Sequence, residues 1–129
     1  MFRYYPDEAS FDRKISACER ALAIAKEFDK PDLANETQVF LSYAKMARHI
    51  YRIAKAAASE GASTPDSRKG VLEEVEGLKE AGAENADAIK AWRSAASPDP
   101  WHRRVHRAIQ ATEETVKEIA ETVAGAAGQ

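Results

Sequence analysis

The sequence predicts an all-α domain, an antiparallel up-down-up-down four-helix bundle. Three observations carry that expectation. Apolar residues recur at alternating spacings of four and three in four successive segments, which places them on helical stripes. Alanine, a strong helix former, dominates the apolar composition, while the strand-favouring valine, isoleucine and threonine are sparse. The segments are similar in length and joined by short connections, which favour antiparallel neighbours.

The first helix is expected from about Asp7 to Phe28, with Phe11, Ile15, Cys18, Leu22 and Ala25 on one face. Asp7 and Glu8 fall in its first turn, where a negative charge complements the helix dipole. Asp29-Lys30-Pro31 ends it, because proline cannot continue the hydrogen-bond ladder. Pro31 then suits the first turn of the second helix, with Asp29 or Asp32 as a cap. That helix is expected to reach about Ser59, with Val39, Tyr43, Met46, Ile50, Ile53 and Ala57 as its seam and Phe40, Ala47 and Ala54 widening it. Gly61 closes it.

Thr64-Pro65 reads as a cap followed by a first-turn proline. From there Val71, Val75, Leu78, Gly82, Ile89 and Trp92 continue the four-three pattern toward Ala96. Gly70, Gly77 and Gly82 weaken this third helix by up to ~1 kcal/mol each relative to alanine. A kink or break is therefore expected near Gly82. Ser97-Pro98-Asp99-Pro100 interrupts the chain, and the last helix uses Trp101, Val105, Ile109, Thr112, Val116, Ile119 and Val123. The small-residue tail, 124–129, is expected to fray and residues 1–6 to form an arm. Its aromatic residues Phe2, Tyr4 and Tyr5 read as a cap over one end of the bundle, near Trp92 and Trp101, ahead of an anchor for a partner.

At 129 residues the chain fits a single domain. Its 44% hydrophobic and 31% charged content is that of a folded chain. A net charge of −2, with acids and bases interspersed, argues against nucleic acid as a partner of the whole molecule. One cysteine, Cys18, excludes an internal disulfide framework and a cysteine-based zinc cluster, and on the seam it acts as a small apolar filler. No apolar stretch approaches the ~20 residues of a membrane-spanning helix. The N-terminal residues lack the continuous apolar core of a secretory signal, so a cytoplasmic location is the default expectation.

Lys45, Arg48, Arg52 and Lys55 recur along the second helix opposite its expected seam and make its distal half basic. Together with Arg103, Arg104 and Arg107 they suggest a patch for phosphate or an acidic partner, although a solvated helical face ranks above that reading. His102 and His106 stand four apart, the spacing with which a helix offers two imidazoles to one metal. No third or fourth ligand accompanies them, and the neighbouring arginines oppose a cation, so no metal or cofactor is expected.

His49, mid-helix with Arg52 three residues later, resembles the phosphoaccepting histidine of histidine phosphotransfer domains, which are also helical bundles. Ile53 stands where that family has a glycine and would obstruct docking of a receiver domain. Glu73, Glu74, Glu76, Glu80 and Glu84 in the third segment and Glu113, Glu114, Glu118 and Glu121 in the fourth resemble the carboxylate sets of helical nucleotide pyrophosphohydrolases and di-iron bundles. The Glu-x-x-His pairs of the di-iron pattern are absent. Asn85 falls near the third seam, and the pattern leaves open whether it is buried.

Catalysis needs polar groups converging in a pocket, and the sequence assembles none. The expected function is a non-enzymatic helical-bundle protein-interaction module of the adaptor, regulator, chaperone or inhibitor type. Its interaction residues are expected among Lys45, Arg48, His49, Arg52, Lys55, Trp101, His102, Arg103, Arg104, His106 and Arg107. The partner is expected to be a protein, with a homodimer among the options, since an alanine-rich core is thin. The alternatives are an accessory helical domain of a larger enzyme and a small metal- or phosphate-handling enzyme or histidine phosphotransfer-like bundle.

Overall fold

A computed structural model describes residues 7–58, 64–96 and 101–127. Four helices account for nearly all of them, and no strand occurs among the described residues. They are α1 (Glu8–Glu27), α2 (Pro31–Ala58), α3 (Pro65–Ala96) and α4 (Trp101–Ala127).

Local chemistry sets the ends. Asp7 is the N-cap of α1 and not part of its first turn: its carboxylate accepts from the Ser10 backbone N–H and hydroxyl, both at 2.8 Å. These bonds, side chain first, hold the Asp7 carboxyl below its ordinary value of 3.8. At the other end Asp29 turns the chain with φ 53°, the left-handed conformation that follows many helices. The Ala34 N–H bonds back to the Lys30 carbonyl, so the cap position of α2 falls on Lys30 instead of Asp29 or Asp32. Thr64 caps α3 as its sequence suggests, accepting from the Ser67 N–H at 3.2 Å. Helix α4 continues to Ala127, three residues past the expected start of fraying.

Each helix packs on its neighbour in sequence: α1 on α2, α2 on α3, and α3 on α4. Paired residues give the directions. Arg48 meets Asp12 while Arg52, farther along α2, meets Glu8, earlier in α1. Lys45 meets Glu84 while Arg52 meets Glu74, so α3 also runs against α2. Gly82 touches Val116. At 1.5 Å per residue Gly82 lies about 21 Å before the end of α3, and Val116 about 22 Å past the start of α4. Residues 97–100 are too few to join parallel helices over that distance, so α4 runs back along α3.

The expected irregularity at Gly82 is not realised; α3 is one 32-residue helix. Two of its glycines, Gly77 and Gly82, serve contact, whereas Gly70 faces open space. A Cβ on Gly82 would lie 2.8 Å from Val116 Cγ2, and one on Gly77 would overlap the His49 ring, 2.8 Å from Nε2. Each of these two lets a neighbouring side chain approach so closely that an added methyl would have to displace it.

The core divides in two. Met46 and Ile53 of α2 join Val75, Leu78 and Ala81 of α3, with Val116, Ile119, Ala120 and Val123 of α4 packed against them. Along α1 and α2 a narrower seam holds Ile15, Cys18, Leu41 and Ala44, with Leu22 beside it. The α1 stripe matches its expected residues, and Phe11 is fully buried.

The α2 seam matches in part: Met46, Ala47 and Ile53 are buried and Ile50 packs against the core, but four of its residues are not enclosed. Tyr43 and Phe40 are 45% and 52% exposed, and Ala54 and Ala57 are also exposed. Thr37, Leu41, Ser42 and Ala44 are buried instead. Helix α2 lies between α1 and α3 and is covered on two sides, which a single apolar stripe cannot represent. Its buried hydroxyls are satisfied: Thr37 donates to the Leu33 carbonyl at 2.7 Å and Ser42 to the Gln38 carbonyl at 2.8 Å. Asn85 is buried, donating to Ser42 Oγ at 3.1 Å and to the Val39 carbonyl at 3.3 Å.

Candidate functional site

Most of the basic residues of α2 lie between helices and not on an open face. Lys45, Arg48, His49 and Arg52 are half-buried, and each meets an acid from a flanking helix. Arg48 donates to Asp12 at 2.8 Å. Arg52 bridges Glu8 of α1 at 2.5 Å and Glu74 of α3 at 3.6 Å. His49 Nδ1 lies 2.6 Å from Glu74 Oε2, and Lys45 lies 3.7 Å from Glu84. Lys55, near the end of the helix, is exposed. These acids supply the counter-charge that a phosphate or acidic partner would otherwise provide, so the ladder ties α1, α2 and α3 together. Arg48 Nε is buried without a hydrogen-bond partner, so the tie is incomplete at that atom.

His49 also lacks the exposure a phosphoaccepting histidine requires. Its side chain is 19% exposed, its ring sits over Gly77, and its Nδ1 is engaged by Glu74. Of the carboxylates named from sequence, Glu74 is drawn inward, whereas Glu73, Glu76, Glu80 and Glu84 of α3 and Glu113, Glu114, Glu118 and Glu121 of α4 are exposed. Among the described residues no three His, Cys, Asp or Glu side chains gather as a metal would need. Cys18 is free and buried.

The second basic run belongs to the start of α4, where His106 and Arg107 are exposed. The side chains of Trp101, His102, Arg103 and Arg104 lie outside the described residues, as do Phe2, Tyr4 and Tyr5 with the proposed aromatic cap. Backbone placement nevertheless separates the two runs. Asn85 is level with Ser42, and α3 continues about 16 Å beyond it before α4 begins. Lys45 to Lys55 extend the opposite way, toward the end of α2. The end of α2 and the start of α4 therefore lie toward opposite ends of α3.

Two other surfaces emerge. An open groove of about 460 Å³ runs between α3 and α4, with Gly82, Ala86, Val116 and Ala120 lining it and Lys79 and Lys117 at its margins. It holds no buried, convergent polar groups of the kind a small-molecule site uses for orientation.

The other surface is the side of the α1–α2 hairpin facing away from the ion pairs. Six large hydrophobic residues are substantially exposed among the described residues, and five belong to this hairpin: Ile24, Phe28, Leu33, Phe40 and Tyr43. Glu8 and Asp12 mark one flank of α1 by pairing with Arg52 and Arg48. Lys14 marks the other, its Nζ 5.8 Å from the centroid of the Phe40 ring. From Lys14 the exposed residues Ala17, Ala21, Ile24 and Phe28 follow at helical spacing, and Leu33, Phe40 and Tyr43 run alongside on α2. Sequence reasoning missed this face because it placed Phe40 and Tyr43 in the core. The available signal was an excess of apolar positions on α2 over what one stripe could bury.

No family model matches the chain, and no curated protein or solved structure shows significant similarity to it. Functional inference for this four-helix chain therefore rests on its own surfaces.

Proposed function

We propose that this protein is a non-enzymatic protein-interaction module that docks a partner on the apolar side of its α1–α2 hairpin. The observation that carries this reading is the concentration of Ile24, Phe28, Leu33, Phe40 and Tyr43 on one hairpin. Scattered exposed hydrophobic residues are ordinary, but a contiguous set marks an interaction surface. Phe40 and Tyr43 supply the large, rigid side chains on which binding energy concentrates. The same reading places the protein in the cytoplasm and assigns the ion-pair ladder to holding the hairpin on α3, leaving its opposite side for binding.

The test is affinity capture from the native cell with the wild-type chain and a Phe40→Ser/Tyr43→Ser variant. A partner retained at moderate salt by the wild type and lost by the variant, with equal helicity in both, supports the reading. Equal retention by both chains contradicts it.

A further inference from the structure

We infer that α4 is a latch: it undocks from α3 as a unit while α1, α2 and α3 stay assembled, and so uncovers the apolar side of the α2–α3 pair. This surface is distinct from the hairpin face, and the inference stands independently of it.

The two outer helices differ in how they are held. Each packs mainly on one neighbour, α1 on α2 and α4 on α3, so either could leave without parting the other three. Helix α1 is held by more than apolar contact. It buries Phe11, Ile15, Cys18 and Ala25, and its Glu8 and Asp12 pair with Arg52 and Arg48 of α2. Helix α3 is tied to α2 in the same way, Glu74 to His49 and Asn85 to Ser42.

Helix α4 is attached differently. Among its described side chains Ile109 alone is buried, and Val116, Ile119, Ala120 and Val123 are half-buried where they pack against the core. The lysines bordering the α3–α4 groove pair within their own helices, Lys79 with Glu76 at 3.0 Å and Lys117 with Glu121 at 3.9 Å. Gln110 and Thr115 also bond inside α4, to Glu114 and to the Ala111 carbonyl. Undocking therefore gives up apolar contacts while these polar bonds persist. A segment with little buried apolar surface opens locally, below the free energy of global unfolding. Opening withdraws Val116, Ile119 and Val123 from Val75, Leu78 and Ala81. The surface so uncovered fits an amphipathic helix, because α4 is one.

The experiment is native-state hydrogen exchange of the full chain in increasing, sub-denaturing urea, read segment by segment. Wild-type α4, from about Ile109 to Val123, is expected to exchange as one block. It should do so at least tenfold faster than α2 around Met46 and α3 around Leu78, with a shallower dependence on urea. The closed state can also be locked. A Cβ on Gly82 lies 3.8 Å from the Val116 Cβ, the spacing of a disulfide. In a Gly82→Cys/Val116→Cys chain, with Cys18→Ala to leave one thiol pair, oxidation is expected to slow α4 exchange at least tenfold relative to the reduced chain. Wild-type α4 exchanging at the rate and urea slope of α2 and α3 overturns the inference. So does protection that fades gradually toward Ala127 with Ile109 to Val116 as slow as α3, which is fraying alone. Equal α4 exchange in the oxidised and reduced chains also overturns it.

Discussion

The convergence of α2, α3 and α4 and the hairpin of α1 and α2 solve the same packing problem with different results. Where three helices meet, Met46, Ile53, Val75 and Leu78 are enclosed and α4 contributes further apolar side chains from above. Where only two meet, one seam is buried and each helix keeps an outward flank. On one flank those residues are Glu8, Asp12, Arg48 and Arg52, joined as ion pairs. On the other they are Phe28, Leu33, Phe40 and Tyr43, left open. The difference teaches that apolar content alone does not locate a core. The number of helices surrounding a position decides whether a hydrophobic residue is consumed by folding or remains available for binding.

Substitutions can break or sharpen this contrast. The largest effect is expected at Leu78, which is fully enclosed. Leu78→Ala should destabilise by about 2–5 kcal/mol through lost burial and a residual cavity, as chemical denaturation would measure. A cost under about 1 kcal/mol would show that the three-helix region is no better packed than the hairpin.

Next is Asn85, whose amide ties α3 to Ser42 and Val39 of α2. Asn85→Ala should cost about 1–3 kcal/mol, since it removes buried hydrogen bonds and leaves a gap. A neutral result in the same denaturation assay would remove the polar tie from the account.

Gly77 allows a smaller but more discriminating test. In the wild-type background Gly77→Ala should destabilise by roughly 1 kcal/mol, because the new methyl displaces the His49 ring from Glu74. In a His49→Ala background the same change should stabilise by up to ~1 kcal/mol, through the better helix propensity of alanine. The same sign in both backgrounds would show that the His49 ring does not set the requirement for glycine.

The smallest effect concerns the start of α1. The Asp7 carboxyl titrates below its ordinary value because Ser10 hydrogen-bonds its charged form. A depressed folded-state value means that the cap's contribution is complete above the ordinary aspartate value of 3.8 and is lost as pH falls through the lower folded one. Amide exchange at the first turn of α1 should therefore accelerate in acid, and Asp7→Asn should flatten that response. Acid acceleration equal in the variant would assign it to another group.

Much of the fold was legible in the sequence, because proline and the Thr64 cap mark helix starts and the α1 stripe follows a single period. Helix α1 has one packed neighbour, α2, so Phe11, Ile15, Cys18 and Ala25 could be read directly. Helix α2 has two, and its buried residues occupy separate arcs that one periodic template merges. That merger misplaced Phe40 and Tyr43 and hid the proposed site. Gly77 and Gly82 read as breaks because propensity is local, whereas their contacts with His49 and Val116 are tertiary. The basic stripe read as a surface because its neutralising acids stand on α1 and α3, 25 or more positions away in sequence.

The most direct test of the central claim compares Leu78→Ala with a Phe28→Glu/Phe40→Ser variant in thermal unfolding, at concentrations where all chains are monomeric. The account expects Leu78→Ala to lower the midpoint by roughly 10 °C, while the double variant stays within about 2 °C of wild type. A double variant that melts as low as Leu78→Ala would contradict it, showing that the open side of the hairpin is part of what folds the chain.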